Sequence, residues 1–274
     1  MAIYSNGQVG WFSGILPPDA DAQAFITAAN ITNITQQSAI DTLVKSLKSA
    51  NIWTKMKAVY PFVGGTAAQH RFNLKSPGTT AADFYLDFNG GGTHGPNGYQ
   101  PNGNSYADTK LNVSLNMNRN STHLSYYSTT DNAAGSTGEI GALTTSPVQY
   151  SHMHLYYTGG SFINRFMPII NTTVVESSNI MTNSIGHYIG NRATNKIIVA
   201  YKNGALVMLA NNNDSATLPN LNYYIGALNI NGSPSNYTSR NCAFASIGDG
   251  LTDSEASAFY TAVQTFQTTL GRQV

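Results

Sequence analysis

Residues 242–274 read CAFASIGDGLTDSEASAFYTAVQTFQTTLGRQV. An apolar strand leads into a Gly-Asp-Gly turn and then into a single helix. Thr252 and Glu255 stand at capping-box spacing, so each side chain can satisfy a backbone donor at the helix start. Ala256, Phe259, Tyr260, Val263, Phe266 and Leu270 recur at helical spacing and define one apolar stripe, which needs a surface to lie on. Between Gln69 and Ile247 the chain reads as strands and loops, so that surface is a sheet. The stretch therefore predicts a mainly β chain closed by one helix packed on its sheet. Strand alternation places Cys242, Phe244 and Ser246 on one face and Ala243 and Ala245 on the other.

Outward from there, residues 66–274 are expected to form one β-sandwich with its terminal helix. Strand signals fall at 71–75, 84–88, 111–117, 123–128, 153–157, 162–170, 172–176, 186–189, 196–201, 205–209, 223–230 and 242–247. Asn203-Gly204 supplies the two left-handed residues of a type I′ hairpin turn. Short strands separated by Gly and Asn turns read as a sandwich. Residues 19–65 read as a helical segment packed on it. Asp19 or Asp21 caps a first helix carrying Phe25, Ile26 and Ala29. Asn33 and Gln36 open a second, whose stripe is Ile40, Leu43, Val44 and Leu47. Residues 1–18 read as an N-terminal arm. Its Tyr4, Trp11, Phe12, Ile15 and Leu16 need a surface to bury them, on the parent domain or on a neighbouring subunit. These five are candidate assembly contacts.

Composition excludes several classes. Charged residues make up 10% of the chain and the net charge is +1, against about 25% charged in an ordinary soluble domain. Lys and Arg are scattered, so nothing argues for nucleic acid as a partner. No apolar run is long enough to span a bilayer. Met1-Ala2-Ile3-Tyr4 lacks the basic start and apolar core of a signal peptide. The expectation is synthesis in a host cytoplasm, with assembly into a virus particle as one route that needs no signal. The single cysteine, Cys242, excludes an internal disulfide and reads as a small buried hydrophobe.

Residues 89–108, NGGGTHGPNGYQPNGNSYAD, form the one long Gly- and Asn-rich loop. No Gly-Lys-Ser/Thr follows, so it is not a phosphate loop. Its rings and amides are the groups that hold sugars, and His94, Tyr99, Asn104 and Tyr106 are the candidate glycan-binding residues. The bland alternative is a rim loop ordered by its own packing. No catalytic residues are expected. A glycosidase needs two carboxyl groups facing each other across a bond. The only glutamates are Glu139, Glu176 and Glu255, and Glu255 belongs to the helix cap. Asp83 and Asp87 flank Phe84-Tyr85-Leu86 on one strand face and have no partner. His152 and His154 share one side of a strand, and two exposed strand residues is the preferred reading over a metal pair. Asp214 with Asn211 and Asn213 makes a weak calcium set, because one carboxylate anchors poorly. No metal site and no cofactor are expected, and Ser13 and Ser161 sit in no nucleophile elbow.

Residues 25–75 resemble the front of a group of bacteriophage structural proteins. Residues 223–274, above all IGDGLTDSEASAFYTAVQTFQTTLGRQV, resemble their end, and the hairpin TNKIIVAYKNGALV fits as well. The match covers roughly half of the chain and leaves 130–195 unmatched. Proteins of this group resemble concanavalin A-like (laminin-G-like) jelly-roll domains of tail, fibre and head-decoration components. The resemblance implies a mainly β, concanavalin A-like jelly-roll β-sandwich with an N-terminal helical segment and a C-terminal helix. It implies a non-enzymatic virion structural protein that assembles on the particle. Its partners would be other virion proteins and copies of itself, a trimer among the expected states, with host-surface glycan as a candidate ligand. The alternatives are a polysaccharide depolymerase of the host envelope and a free carbohydrate-binding module.

Overall fold

A computed structural model describes residues 17–132, 135–211 and 214–274. The predicted assembly contacts Tyr4, Trp11, Phe12, Ile15 and Leu16 lie outside the described residues. The helices are α1 (Ala20–Ala28), α2 (Ile34–Ser49), α3 (Ala67–His70), α4 (Val113–Asn116) and α5 (Asp253–Thr269). Asp19 caps α1 by accepting from the Asp21 N–H, and Asn33 caps α2 by accepting from the Gln36 N–H. Ile40, Leu43, Val44 and Leu47 form the buried stripe of α2, as their spacing predicts. Both halves of the Thr252–Glu255 capping box are made at the start of α5. No described helix is long and apolar enough to cross a membrane.

The strands, in chain order, are β1 (Met56–Tyr60), β2 (Asp87–Asn89), β3 (Thr93–Gly95), β4 (Gly98–Gln100), β5 (Tyr106–Asn112), β6 (Thr122–Ser128), β7 (Ile140–Thr145), β8 (Val148–Gly159), β9 (Phe162–Thr172), β10 (Gly186–Arg192), β11 (Ile198–Lys202), β12 (Ala205–Ala210), β13 (Asn222–Ile225), β14 (Leu228–Ile230), β15 (Ser233–Ser235) and β16 (Cys242–Gly248). The first sheet runs β12-β11-β10-β6-β16-β4-β3, and β1 joins it on β16. The second runs β15-β14-β7-β13-β5-β2, with β8 on β7 and β9 on β8. All pairs are antiparallel except β14 with β7. This is a mainly β sandwich of two sheets with N-terminal helices and a C-terminal helix.

The molecule has three layers. Tyr60, Tyr126, Phe166, Tyr188 and Ile225 belong to the core between the sheets. Phe25, Leu43, Trp53, Tyr127, Ile189, Phe244, Phe259 and Phe266 belong to a second core, where α1, α2 and α5 cover the outer face of the first sheet. Every residue of β6, β10 and β16 is consequently buried. Strands covered on both faces carry no polar-out alternation. The stripe of α5 is Ala256, Phe259, Ala262, Val263, Phe266 and Gln267, while Tyr260 and Leu270 sit half-buried at its margin.

Several expectations are corrected. A bulge in β16 between Cys242 and Phe244 breaks its alternation. Cys242 faces the sandwich core with Ala245, and Ala243 joins Phe244 on the helix side. Residues 71–75 form no strand. Buried Asn73 pins that turn, accepting from Val59 N–H at 2.8 Å and donating to the Asp83 carbonyl at 3.0 Å. The 84–88 signal shrinks to β2, because Phe84 takes a left-handed backbone after a short 3-10 turn. The 111–117 signal ends as α4, capped by Asn112. Of 172–176 only Thr172 is in a strand. The 223–230 signal splits at Gly226, whose φ is 89°. Its two halves, β13 and β14, then share one edge of β7. No strand signal marks β1, β7 or β15, and the loop 89–108 contains β3, β4 and the start of β5.

Candidate functional site

The four predicted glycan-binding residues part company. His94, on β3, is half-buried beside Phe88 and Tyr99, with ring centroids 4.4 and 5.1 Å away. Its Nδ1 lies 3.0 Å from Nδ1 of His70. Nε2 of His70 accepts the Gly65 N–H, which leaves the His70 proton on Nδ1 to donate to His94. Tyr99, on β4, is 0% exposed and pairs with Cys242 inside the sandwich. It is a core residue, not a loop-tip ring. Asn104 is exposed in the turn before β5. Tyr106 opens β5 and faces outward, because Ala107, Thr109 and Leu111 take the buried positions of the strand.

Tyr106 begins a surface that the sequence did not reveal, the outer face of the second sheet. Its ring packs on Tyr224 of β13 at 4.5 Å, and Tyr237 follows at 6.4 Å. Tyr224 points to the outer side because Tyr223 and Ile225 enter the core, but it is only 8% exposed, so Tyr106 is the ring that reaches solvent. Burial, then the nearby Asp108, raises the phenol pKa of both rings, that of Tyr224 to about 12. Both hydroxyls therefore stay protonated at neutral pH. On the far side of Tyr224, its register partner is Gly141. A Cβ there would stand 2.1 Å from the Cβ of His152, so only glycine fits.

A polar cluster lies beside the rings. Asp87 of β2 pairs in register with Asp108 of β5, as Asn89 does with Tyr106. Nζ of Lys110 donates to Asp87 at 2.9 Å and to Asp108 at 3.1 Å. Lys110 takes a left-handed backbone, φ 57°, and its N–H donates to the Asp108 carboxylate at 2.8 Å. Burial works against the ammonium, but its bonds to Asp87 and Asp108 prevail and raise its pKa. Asn222 Nδ2 donates to Asp108 at 3.1 Å.

Other candidates are spent on structure. Glu139 is buried in an ion pair with Arg240 at 2.5 Å. Glu255 accepts from Lys55 at 2.6 Å within its cap. Asp83 does not share a strand face with Asp87; it accepts from Thr80 and Ser76. His152 and His154 are 3% and 5% exposed, which corrects their reading as exposed residues. His154 Nδ1 contacts the Thr137 carbonyl at 2.7 Å, and burial lowers the pKa of both rings. Asp214 is held by Lys196, and Asn213 lies outside the described residues. Among the described residues no group of three or more His, Cys, Asp and Glu is placed to hold a metal ion. A cleft of about 350 Å³ opens at the β3–β4 turn between Asn97, Gln100, Thr130 and Asn241. Its lining is polar and uncharged, and no aromatic ring faces it.

No family model and no curated protein matches the chain. Solved structures do. Domain 4 of a GH43 extracellular arabinanase from Geobacillus stearothermophilus, in complex with arabinotriose, superimposes with a TM-score of 0.51 at 16% identity. That match covers 75% of this chain and 98% of that one. The Trypanosoma rangeli sialidase, in complex with 2,3-difluorosialic acid, gives 0.52 at 13% identity. It covers 84% of this chain but only 39% of the sialidase. A mutant of the same sialidase displaying trans-sialidase activity gives 0.50 at 15% identity, covering 85% of this chain and 40% of that one. At such identities the likeness shows a shared β-sandwich fold, one that these carbohydrate-active proteins use.

Proposed function

We propose that this protein is a non-catalytic glycan-binding jelly-roll and that the outer face of its second sheet is the binding surface. The observation that carries this is the half-exposed ring of Tyr106, 4.5 Å from the largely covered ring of Tyr224 and beside the Asp87–Lys110–Asp108 cluster. Sugars present apolar C–H faces and a rim of hydroxyls. Rings flanked by charged hydrogen-bonding groups suit both. The fold shared with carbohydrate-active proteins supports the reading. A depolymerase fits less well. Lys110 Nζ occupies the space between Asp87 and Asp108 where a scissile oxygen or a water would have to sit. Placement on a phage particle rests on the resemblance of residues 25–75 and 223–274, with residues 1–18 as the docking arm. Imaging a tagged chain in purified particles tests that placement, and a particle without the chain would end it.

Calorimetric titration of oligosaccharides tests the binding surface. Tyr106→Ala is expected to weaken binding by about tenfold or more, since an aromatic contact contributes roughly 0.5–1.5 kcal/mol beyond the area it buries. Thermal unfolding should hardly change, because Tyr106 is half-exposed. Unchanged affinity in the variant would move the site elsewhere, first to the cleft at the β3–β4 turn.

A further inference from the structure

The charged groups beside the tyrosines are unequally occupied. Asp108 accepts from the Lys110 N–H, from Lys110 Nζ and from Asn222 Nδ2, so its oxygens are largely taken. Among the described residues the Asp87 carboxylate accepts from Lys110 alone, through Oδ2, and the side chain is 51% exposed. Lys110 has three N–H donors on Nζ and uses two. One free acceptor on Asp87 and one free donor on Lys110 therefore stand side by side. Asp87 is the diagonal cross-strand neighbour of Tyr106, because Asn89 is the direct one. Such neighbours lie about 7–8 Å apart, a span that one or two sugar rings bridge.

A vicinal diol offers one O–H donor and one oxygen acceptor on adjacent carbons. We propose that Asp87 and Lys110 together grip such a diol on a neutral sugar whose ring lies on Tyr106, so that the site takes neutral oligosaccharides and rejects acidic ones. This rests on the glycan-binding reading above. Both bonds would be charge-assisted, which makes them the strong ones at an exposed site. A sugar carboxylate would meet the exposed Asp87, while Lys110 is already held between two carboxylates, so like charges exclude it. Arg71 is the other cation at this edge. It lines the adjoining cleft with Asp87, and its guanidinium stacks on Tyr85 at 4.6 Å.

The full chain is titrated with neutral probes (arabinotriose, maltotriose, lactose) and acidic ones (sialyllactose, trigalacturonate). At least one neutral probe should bind and the acidic ones should not. Asp87→Asn and Lys110→Met should each weaken the neutral probe about tenfold, with circular dichroism unchanged. Sialyllactose or trigalacturonate binding as tightly as the neutral probes, and lost in Arg71→Ala, would overturn the diol proposal and leave the glycan site standing. So would neutral binding that Tyr106→Ala abolishes and Asp87→Asn leaves intact. No binding of any probe would overturn both readings.

Discussion

At the residue scale the chain spends its strongest polar groups on holding itself together. Arg240 and Glu139 are 1% and 0% exposed and meet at 2.5 Å. Arg240 also donates to the carbonyls of Asn132 and Tyr156 and to Thr137, while Glu139 accepts the Leu155 N–H. The pair ties three chain segments together. Removing one partner strands the other without water. Glu139→Gln or Arg240→Met should therefore cost about 3–5 kcal/mol in denaturant unfolding, and the two losses should not add in the double variant. Arg272 plays a related part, donating to Gln267 and to the carbonyls of Pro61, Phe62 and Ala243. Neither role is legible in sequence, where Glu139 and Arg272 look like ordinary surface charges. Tyr99 and Tyr106 make the same point. Both lie in one Gly-Asn-rich segment, yet one is buried and the other presents its ring. Strand parity decides which, and a one-residue shift in register reverses it.

At the element scale local rules were most reliable where the signal is local. The caps at Asp19, Asn33 and Thr252 and the left-handed Asn203-Gly204 turn form as the sequence implies. Each depends on side chains within four residues, so no distant contact needs to be known. Thr252→Ala should lower stability by about 1 kcal/mol, measured by urea unfolding, as loss of an N-cap oxygen does. A change below a few tenths would mean that Lys55 and Glu255 hold the helix start unaided. Strand boundaries were less legible. The bulge in β16 and the break at Gly226 re-aim side chains in response to neighbouring strands. Strand β7 carries no period-two signal because Ile140, Gly141, Ala142 and Leu143 are all buried, although its edge carries both β13 and β14.

At the scale of the whole molecule, burial of polar rings makes stability depend on pH. All six histidines have lowered pKa values, in each case chiefly through burial. His70 and His187 fall to about 3 and His123 to about 4, from an ordinary 6.5. Below pH 6.5 the unfolded chain binds protons that the folded chain refuses. The stabilisation is therefore complete above pH 6.5 and is lost progressively as pH falls from 6.5 towards about 3. The unfolding midpoint should be flat between pH 7 and 8 and decline steadily from about pH 6.5. A maximum of stability below pH 5 would contradict this.

The amino-acid sequence by itself determined the class of fold, the helix caps, the hairpin turn and the stripe that closes the chain on its sheet, because periodicity and capping are short-range properties. The tertiary structure decided which rings of the 89–108 segment reach the surface, that one sheet is covered on both faces, and that Asp87 meets Lys110 beside Tyr106 and Tyr224. These are long-range pairings. Tyr106 and Tyr224 are brought together only by the β5–β13 ladder, whose register is fixed by packing in the core beneath them.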